Sequence, residues 1–108
     1  MNWSKELDAV ITVCDTQGII LEMNDKSILY FTKYGGAELI GKNLLDCHPE
    51  PSKSMLRMMM QKQQKNTYLV ENNGLQKLIS QQPWFQDGEY RGFIEIQIEL
   101  AGPIALEK

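Results

Sequence analysis

The 108-residue sequence has few of the side chains that build metal sites or disulfide frameworks, with two cysteines, Cys14 and Cys47, and one histidine, His48. A structural zinc site would need all three together with a carboxylate, and their spacing matches no common zinc motif. Two cysteines could form at most one bridge, and nothing in their placement is typical of a secreted disulfide scaffold. The sequence therefore predicts reduced thiols and no metal.

Blocks of like charge and long apolar runs are also missing. Eleven basic and 14 acidic residues give a formal net charge of -3, and neither sign is gathered into a row that could neutralise phosphates. No apolar stretch approaches the roughly 20 residues that cross a bilayer, and the first residues, Met1, Asn2 and Trp3, lead into mixed charges rather than a signal-peptide core. We expect no nucleic-acid partner, no membrane and a cytoplasmic location.

No segment is dominated by glycine, serine or charge, and the four prolines are too scattered to mark a linker. A hydrophobic content of 43% is ordinary for a chain with one packed core. We therefore predict a single domain over residues 1–108, with a core at about 6–100. A short lead-in helix at 2–7 would place Trp3 and Leu7 on one side.

The first half of the chain alternates turn signals with short regular segments. Two β-branched runs, 9–14 and 19–23, flank the turn residues 15–18 and predict an antiparallel hairpin. Asn24 stands at the N-cap of a helix over about 25–32. "AELIG" has room for one helical turn, and after the two prolines at 49 and 51 we expect Ser52 to cap the longest helix, "SKSMLRMMMQKQQK".

The second half reads as a three-stranded meander: "NTYLVEN", "LQKLISQQPWFQ" and "EYRGFIEIQIEL", joined by the primed-turn dipeptides Asn-Gly and Asp-Gly. Proline, tryptophan and phenylalanine at 83–85 allow two interpretations: a bulge in the middle strand that turns an aromatic side chain toward the pocket or a partner, or an edge irregularity with ordinary packing. Alternation in the last strand predicts that its apolar members face the helices and its polar members face solvent. The apolar members are Ile94, Ile96, Ile98 and Leu100, and the polar ones are Glu95, Gln97 and Glu99.

These elements predict an α+β fold, with a five-stranded antiparallel sheet and the short helices and one longer helix packed on one face. The order resembles the PAS domain family. "DAVITVCDTQGIILEMN" is similar to the PAS opening hairpin with its closing asparagine, and "GGAELIGKNLLD" is similar to the short-helix segment that leads to the long helix. The resemblance covers about residues 6–100. It implies a sensory or dimerisation module whose cavity holds haem, flavin, a small metabolite or nothing.

The flavin-binding, blue-light subtype can be compared residue by residue. In that subtype a reactive cysteine follows "G-x-N" of the same segment. Here Leu44 follows Gly41-Lys42-Asn43, and Cys47 comes three residues too late. Flavin-thiol photochemistry is therefore not expected.

The adjacent pair Cys47 and His48 allows three interpretations. We expect Asp46 and His48 to satisfy backbone groups in a turn held by the flanking prolines, with Cys47 as a small buried apolar residue. His48 could instead be the axial ligand of a haem, although haem-binding PAS domains usually take their histidine from the long helix itself. An enzyme that uses Cys47 is the third, but neighbouring side chains on an extended segment point to opposite sides.

Six residues are candidates to line a ligand pocket: Leu44, Met55, Met59, Phe85, Ile96 and Ile98. The methionines could adapt to an irregular guest or simply pack the helix on the sheet. The predicted function is a small PAS-type module, not an enzyme, that binds a small ligand or a protein partner and signals by altered homodimer or partner contacts. Because few residues follow the last strand, we expect its output on another protein or on a further part of a longer chain.

Overall fold

An antiparallel hairpin opens the fold, and a three-stranded meander closes it. The computed structural model describes residues 1–102 and 104–107. Its strands are β1 (Val10–Asp15), β2 (Ile20–Met23), β3 (Asn66–Asn72), β4 (Leu75–Gln86) and β5 (Glu89–Leu100), and they form one antiparallel sheet in the order β2-β1-β5-β4-β3.

All helical segments lie between β2 and β3 in the chain. They are α1 (Asp25–Tyr30), the short 3₁₀ turns Thr32–Tyr34, Gly36–Leu39 and Leu44–Cys47, and α2 (Ser52–Lys62). The predicted α+β layout, with one longer helix, is confirmed. In the described part of the chain no helix is long and apolar enough to cross a bilayer.

The two hairpin turns of the meander form as predicted. Asn73 and Asp87 adopt left-handed backbone angles, each followed by a glycine at positive φ, as a two-residue primed turn requires. The pairing of β4 with β5 shifts register between Trp84 and Phe85, where the sequence indicated a bulge or an irregularity, and the residue skipped in the pairing is Arg91 of β5. The Trp84 indole N–H then donates to the Cys14 carbonyl across the sheet, at 3.0 Å.

Asn24 caps α1 and also holds the N-terminal segment. Its Oδ1 accepts from the amides of Ser27 and Ile11, each at 3.0 Å, and its Nδ2 donates to the carbonyls of Ala9 and Ser4 at 2.8 and 3.0 Å. The predicted cap is confirmed. The predicted lead-in helix at 2–7 is wrong, because this segment forms turns. Its carbonyls at Ser4 and Leu7 accept hydrogen bonds from the Asn24 side chain.

Helix α2 packs its buried residues, Leu56 and Met60, against Cys14 and Phe93 of the sheet. Ser52 is not its cap, contrary to prediction, because Ser52 is already the first helical residue. The carboxylate of Glu50 satisfies the first turn instead, since it accepts from the Ser54 amide at 2.9 Å and the Ser54 hydroxyl at 2.8 Å.

The orientation of β5 differs from the prediction. Phe93, Glu95 and Gln97 face the helices, in register with Cys14, Thr12 and Val10 of β1. Ile94 also borders the space under the helices, but Ile96, Ile98 and Leu100 lie on the opposite, outer face, as strand alternation then requires. The prediction is wrong for these three residues because the helices enclose a cavity rather than pack flat on the sheet.

Candidate ligand cavity

A cavity of about 790 Å³ lies between the inner face of the sheet and the helical segments. All five strands contribute to one wall, and α1, the 3₁₀ turns and α2 form the other. Pockets for small organic ligands fall in the range of roughly 300–1,000 Å³. The cavity is therefore large enough for a small organic molecule.

Most of the lining is apolar. One group of buried lining residues comes from both walls and consists of Cys14, Leu56 and Phe93, which pack with Met60 behind them, while Ile20, Met23 and Leu39 form a second group beside α1. Leu44 packs against both groups. This lining would favour the apolar body of a ligand.

The sheet wall also carries a polar cluster of Glu95, Gln81 and Gln97. The carboxylate of Glu95 accepts from Gln81 Nε2 and from Gln97 Nε2, both at 2.9 Å. The register explains the cluster, because Gln81 is directly opposite Glu95 across β4 and β5. Burial and the nearby Glu95 carboxylate raise the pKa of the Tyr68 hydroxyl, which lines the same wall.

One atom of this cluster lacks a partner. Gln97 is only 8% exposed, and its Oε1 is buried without a hydrogen bond within the described residues. An unpaired buried acceptor costs roughly 1–3 kcal/mol. By contrast, the hydroxyls of Thr12 and Ser27, which are also buried, share a hydrogen bond of 2.7 Å.

His48 and Cys47 lie at the edge of the cavity. His48 Nδ1 is 2.9 Å from the Leu44 carbonyl, which can only accept, so Nδ1 carries the proton and Nε2 has a free lone pair in the neutral ring. Cys47 is exposed, so the prediction that it is buried is wrong, and its thiol contacts the Asn43 carbonyl at 3.7 Å. Each side chain binds a different backbone carbonyl, and no hydrogen bond joins the two within the described residues.

Comparison with known proteins rests on structure, since no protein-family model and no curated protein matches the chain. A C-terminal domain from Streptococcus mutans is 18% identical over 90% of this chain and 79% of its own, with a TM-score of 0.69. The PAS domain of the histidine kinase ThkA is 15% identical over 85% of this chain and 99% of its own, with a TM-score of 0.65.

A further match is the Aer2 receptor from Vibrio cholerae, described as a dual PAS-haem oxygen sensor. It is 20% identical over 86% of this chain and 95% of its own, with a TM-score of 0.62. This chain has the PAS fold. The predicted resemblance is thus confirmed at the level of the fold.

The predicted pocket residues divide into two groups within this PAS fold. Leu44, Met55 and Met59 do line the cavity. Phe85 does not, because it follows the bulge near the β4–β5 turn and is 53% exposed, and Ile96 and Ile98 are on the outer face of the sheet. Whether any of the first three contacts a ligand remains a prediction.

The polar lining residues Gln81, Glu95 and Gln97 were not predicted from the sequence. The Asp-Gly turn at 87–88 could have predicted the pairing of Gln81 with Glu95, because this turn and the adjacent register shift set which residues of β4 and β5 are opposite each other. Deciding which face met the helices needed the three-dimensional structure.

His48, the axial haem ligand considered from the sequence, lines this PAS cavity beside methionine and cysteine side chains that can also bind haem iron. Among the described residues that line the cavity none is lysine or arginine, and the charged side chain that does line it is the Glu95 carboxylate. Two haem propionates would thus lack a cationic partner and lie in the same cavity as a like charge. The lining does not fit a haem. No group of three metal-binding side chains occurs in the described residues either.

Proposed function

We propose that this chain is a sensory or signalling module that binds a small ligand between its sheet and helices and signals through altered contacts with a second copy or a partner protein. The cavity of about 790 Å³ is the observation that carries this proposal. The matched structures support it, since they include a PAS domain of a histidine kinase and a receptor described as an oxygen sensor. Enzyme activity is not part of the proposal.

A ligand in this cavity would contact both layers of the fold at once. Helix α2 is linked to the sheet by the cluster of Leu56 and Met60 with Phe93 and by the Tyr90 hydroxyl, which donates to the Met60 carbonyl at 2.9 Å. A molecule that binds one position of α2 better than another shifts the population toward that position. The helical layer is thereby coupled to the occupancy of the cavity.

The outer face of the sheet offers a surface for the second copy. Leu69, Leu78 and Ile98 are opposite one another across β3, β4 and β5 and form an apolar row, in which Leu69 is 62% and Ile98 is 40% exposed. Ile96, beside this row, pairs with Ile11 of β1. Exposed apolar patches of this kind mark interaction sites, and two copies related by a two-fold axis would bury the same patch on each.

Cavity binding can be tested by titrating the protein with indole, a small apolar molecule with one N–H donor, and following backbone amide chemical shifts. We expect saturable shifts at residues that line the cavity. Met59→Trp should abolish them because it fills the cavity, whereas Met58→Trp, at an exposed position of the same helix, should not. Shifts that are absent, or that survive Met59→Trp unchanged, would contradict ligand binding here.

The dimer can be tested separately by analytical ultracentrifugation at micromolar concentrations. Ile98→Lys should shift the protein toward monomer by placing a charge within the apolar row. Leu29→Lys makes a comparable change at a highly exposed residue of α1 and should leave the association unchanged. A wild-type monomer, or equal effects of the two variants, would contradict the dimer.

A further inference from the structure

We propose that the cavity selects small organic cations, with an ammonium group bound at the polar cluster of Glu95, Gln81 and Gln97 and an apolar body bound by the remaining lining. This inference rests on the proposed ligand-binding function and names the chemical class of its ligand. It follows from the charge of the lining, from the hydrogen-bonding capacity of the cluster and from the unpartnered atom of Gln97.

The charge of the cavity is negative. Glu95 is the charged side chain of the lining, and within the described residues it forms no ion pair. An isolated carboxylate in a partly buried site is stabilised by a cation and destabilised by a second anion. A ligand that carries a positive charge would therefore supply the cationic partner that Glu95 lacks among the described residues.

Lys26 and Lys77 line a smaller adjoining cavity of about 200 Å³, which Gln97 also lines, and each already has a polar partner. Lys26 pairs with Asp8 at 2.6 Å. Lys77 donates to the Tyr30 hydroxyl at 3.1 Å and lies 4.3 Å from the centroid of the same ring. Neither lysine is bonded to Glu95, so the carboxylate charge is not neutralised by them.

Hydrogen-bond accounting leads to the same class of ligand. A carboxylate accepts about four hydrogen bonds, and Glu95 receives two, one on each oxygen. Because a carboxylate can only accept, Gln81 and Gln97 must turn their N–H groups toward it, which places their carbonyl oxygens on the other side. The Gln97 carbonyl oxygen is the buried atom without a partner.

The polar cluster therefore has spare acceptors on Glu95 and Gln97, while one of the two N–H groups of each glutamine amide donates to Glu95. The free Nε2 lone pair of His48 at the cavity edge is a further acceptor. An ammonium group carries up to three N–H donors and no acceptor, so it complements this wall. A carboxylate or phosphate ligand would instead add a second negative charge beside Glu95, and the remaining donors of the cluster are only the second N–H of each glutamine amide.

The test compares three probes with the same aromatic body: 2-phenylethylamine as cation, 2-phenylethanol as neutral analogue and 3-phenylpropionate as anion. Isothermal titration calorimetry at neutral pH should give binding in the millimolar range or tighter for the amine, as expected of so small a ligand. The alcohol should bind about tenfold more weakly, and the anion weaker still. This comparison uses the wild-type protein and needs no variant.

Glu95→Gln then removes the charge with little change of shape. It should weaken the amine about tenfold to a hundredfold and leave the alcohol nearly unchanged. Glu22→Gln, on the exposed edge strand β2, removes the same charge away from the cavity and serves as the matched control. Circular dichroism of both variants establishes that they are folded.

The inference is overturned if the anion or the alcohol binds as tightly as the amine, if the amine does not bind, or if Glu22→Gln weakens the amine as much as Glu95→Gln does. Indole separates this result from the wider proposal. If indole saturates the cavity while the amine shows no preference, the cation inference fails and ligand binding stands; if neither binds, both fail.

Discussion

Asn24 provides the sharpest test of how this fold is held together, because one side chain joins three segments of the chain. It is only 5% exposed, and it bonds β1, the first turn of α1 and the N-terminal turns. Asn24→Asp keeps the size of the side chain and one acceptor oxygen. It replaces the Nδ2 donor with a second oxygen that faces the carbonyls of Ala9 and Ser4.

The magnitude follows from those two carbonyls. The Ala9 carbonyl is buried and loses this donor, whereas the part-buried Ser4 carbonyl keeps the Leu7 amide at 3.3 Å. One unsatisfied buried acceptor costs roughly 1–3 kcal/mol and the introduced charge adds repulsion, so we expect a loss of about 2–4 kcal/mol in the free energy of unfolding near pH 7. The introduced carboxyl can donate only when protonated, which raises its pKa in the folded state. The protonated carboxyl of Asn24→Asp therefore preserves stability below a pH of about 3.9, the pKa of aspartate in the unfolded chain. This stability is lost as the pH rises through the pKa of the carboxyl in the folded state.

Urea unfolding followed by far-ultraviolet circular dichroism measures this loss. Asn72→Asp makes the same chemical change at an exposed position near the end of β3 and should alter stability by less than about 0.5 kcal/mol. If Asn24→Asp costs no more than Asn72→Asp at pH 7, Asn24 does not join these segments in the manner described.

Three further predictions concern the sheet and the cavity edge. Gly92→Ala should cost at least about 3 kcal/mol in urea unfolding, because a Cβ there would collide with the Cys14 carbonyl, whereas Gly74→Ala, in open space, should cost about 1 kcal/mol. Equal costs would contradict this close approach. His48→Ala should lower stability by about 0.5–1.5 kcal/mol through loss of its bond to a backbone carbonyl, and leave the absorption spectrum unchanged. A Soret band that vanishes in this variant would favour a haem sensor instead. Iodoacetamide at pH 8 should modify Cys47 before Cys14, since burial raises the pKa of the Cys14 thiol; the reverse order would contradict its burial.

The elements that were predicted correctly depend on local chemistry. Asparagine followed by glycine favours a primed turn because both residues tolerate left-handed angles, and the cap of α1 needs only an acceptor at Asn24 and a free amide three residues later. The lead-in helix failed for the opposite reason. Its carbonyls at Ser4 and Leu7 bind a side chain about 20 residues away, a partner that no local pattern reveals.

The wrong orientation of β5 has a physical cause that bears on function. Strand alternation shows which residues of β5 share a face of the sheet. Assigning the apolar face to the inside assumes in addition that the helices pack on the sheet without a cavity between them. Here the inner face carries Gln81, Glu95 and Gln97, and these side chains can lie inside because a cavity, rather than a close-packed layer, is beside them. Leaving Gln97 Oε1 unpaired there costs stability that an apolar residue would not. The outer face of the sheet thus carries the apolar row of Leu69, Leu78 and Ile98, and the inner face carries a carboxylate and spare hydrogen-bond acceptors. The proposed second copy and the proposed ligand would therefore meet surfaces of different chemistry.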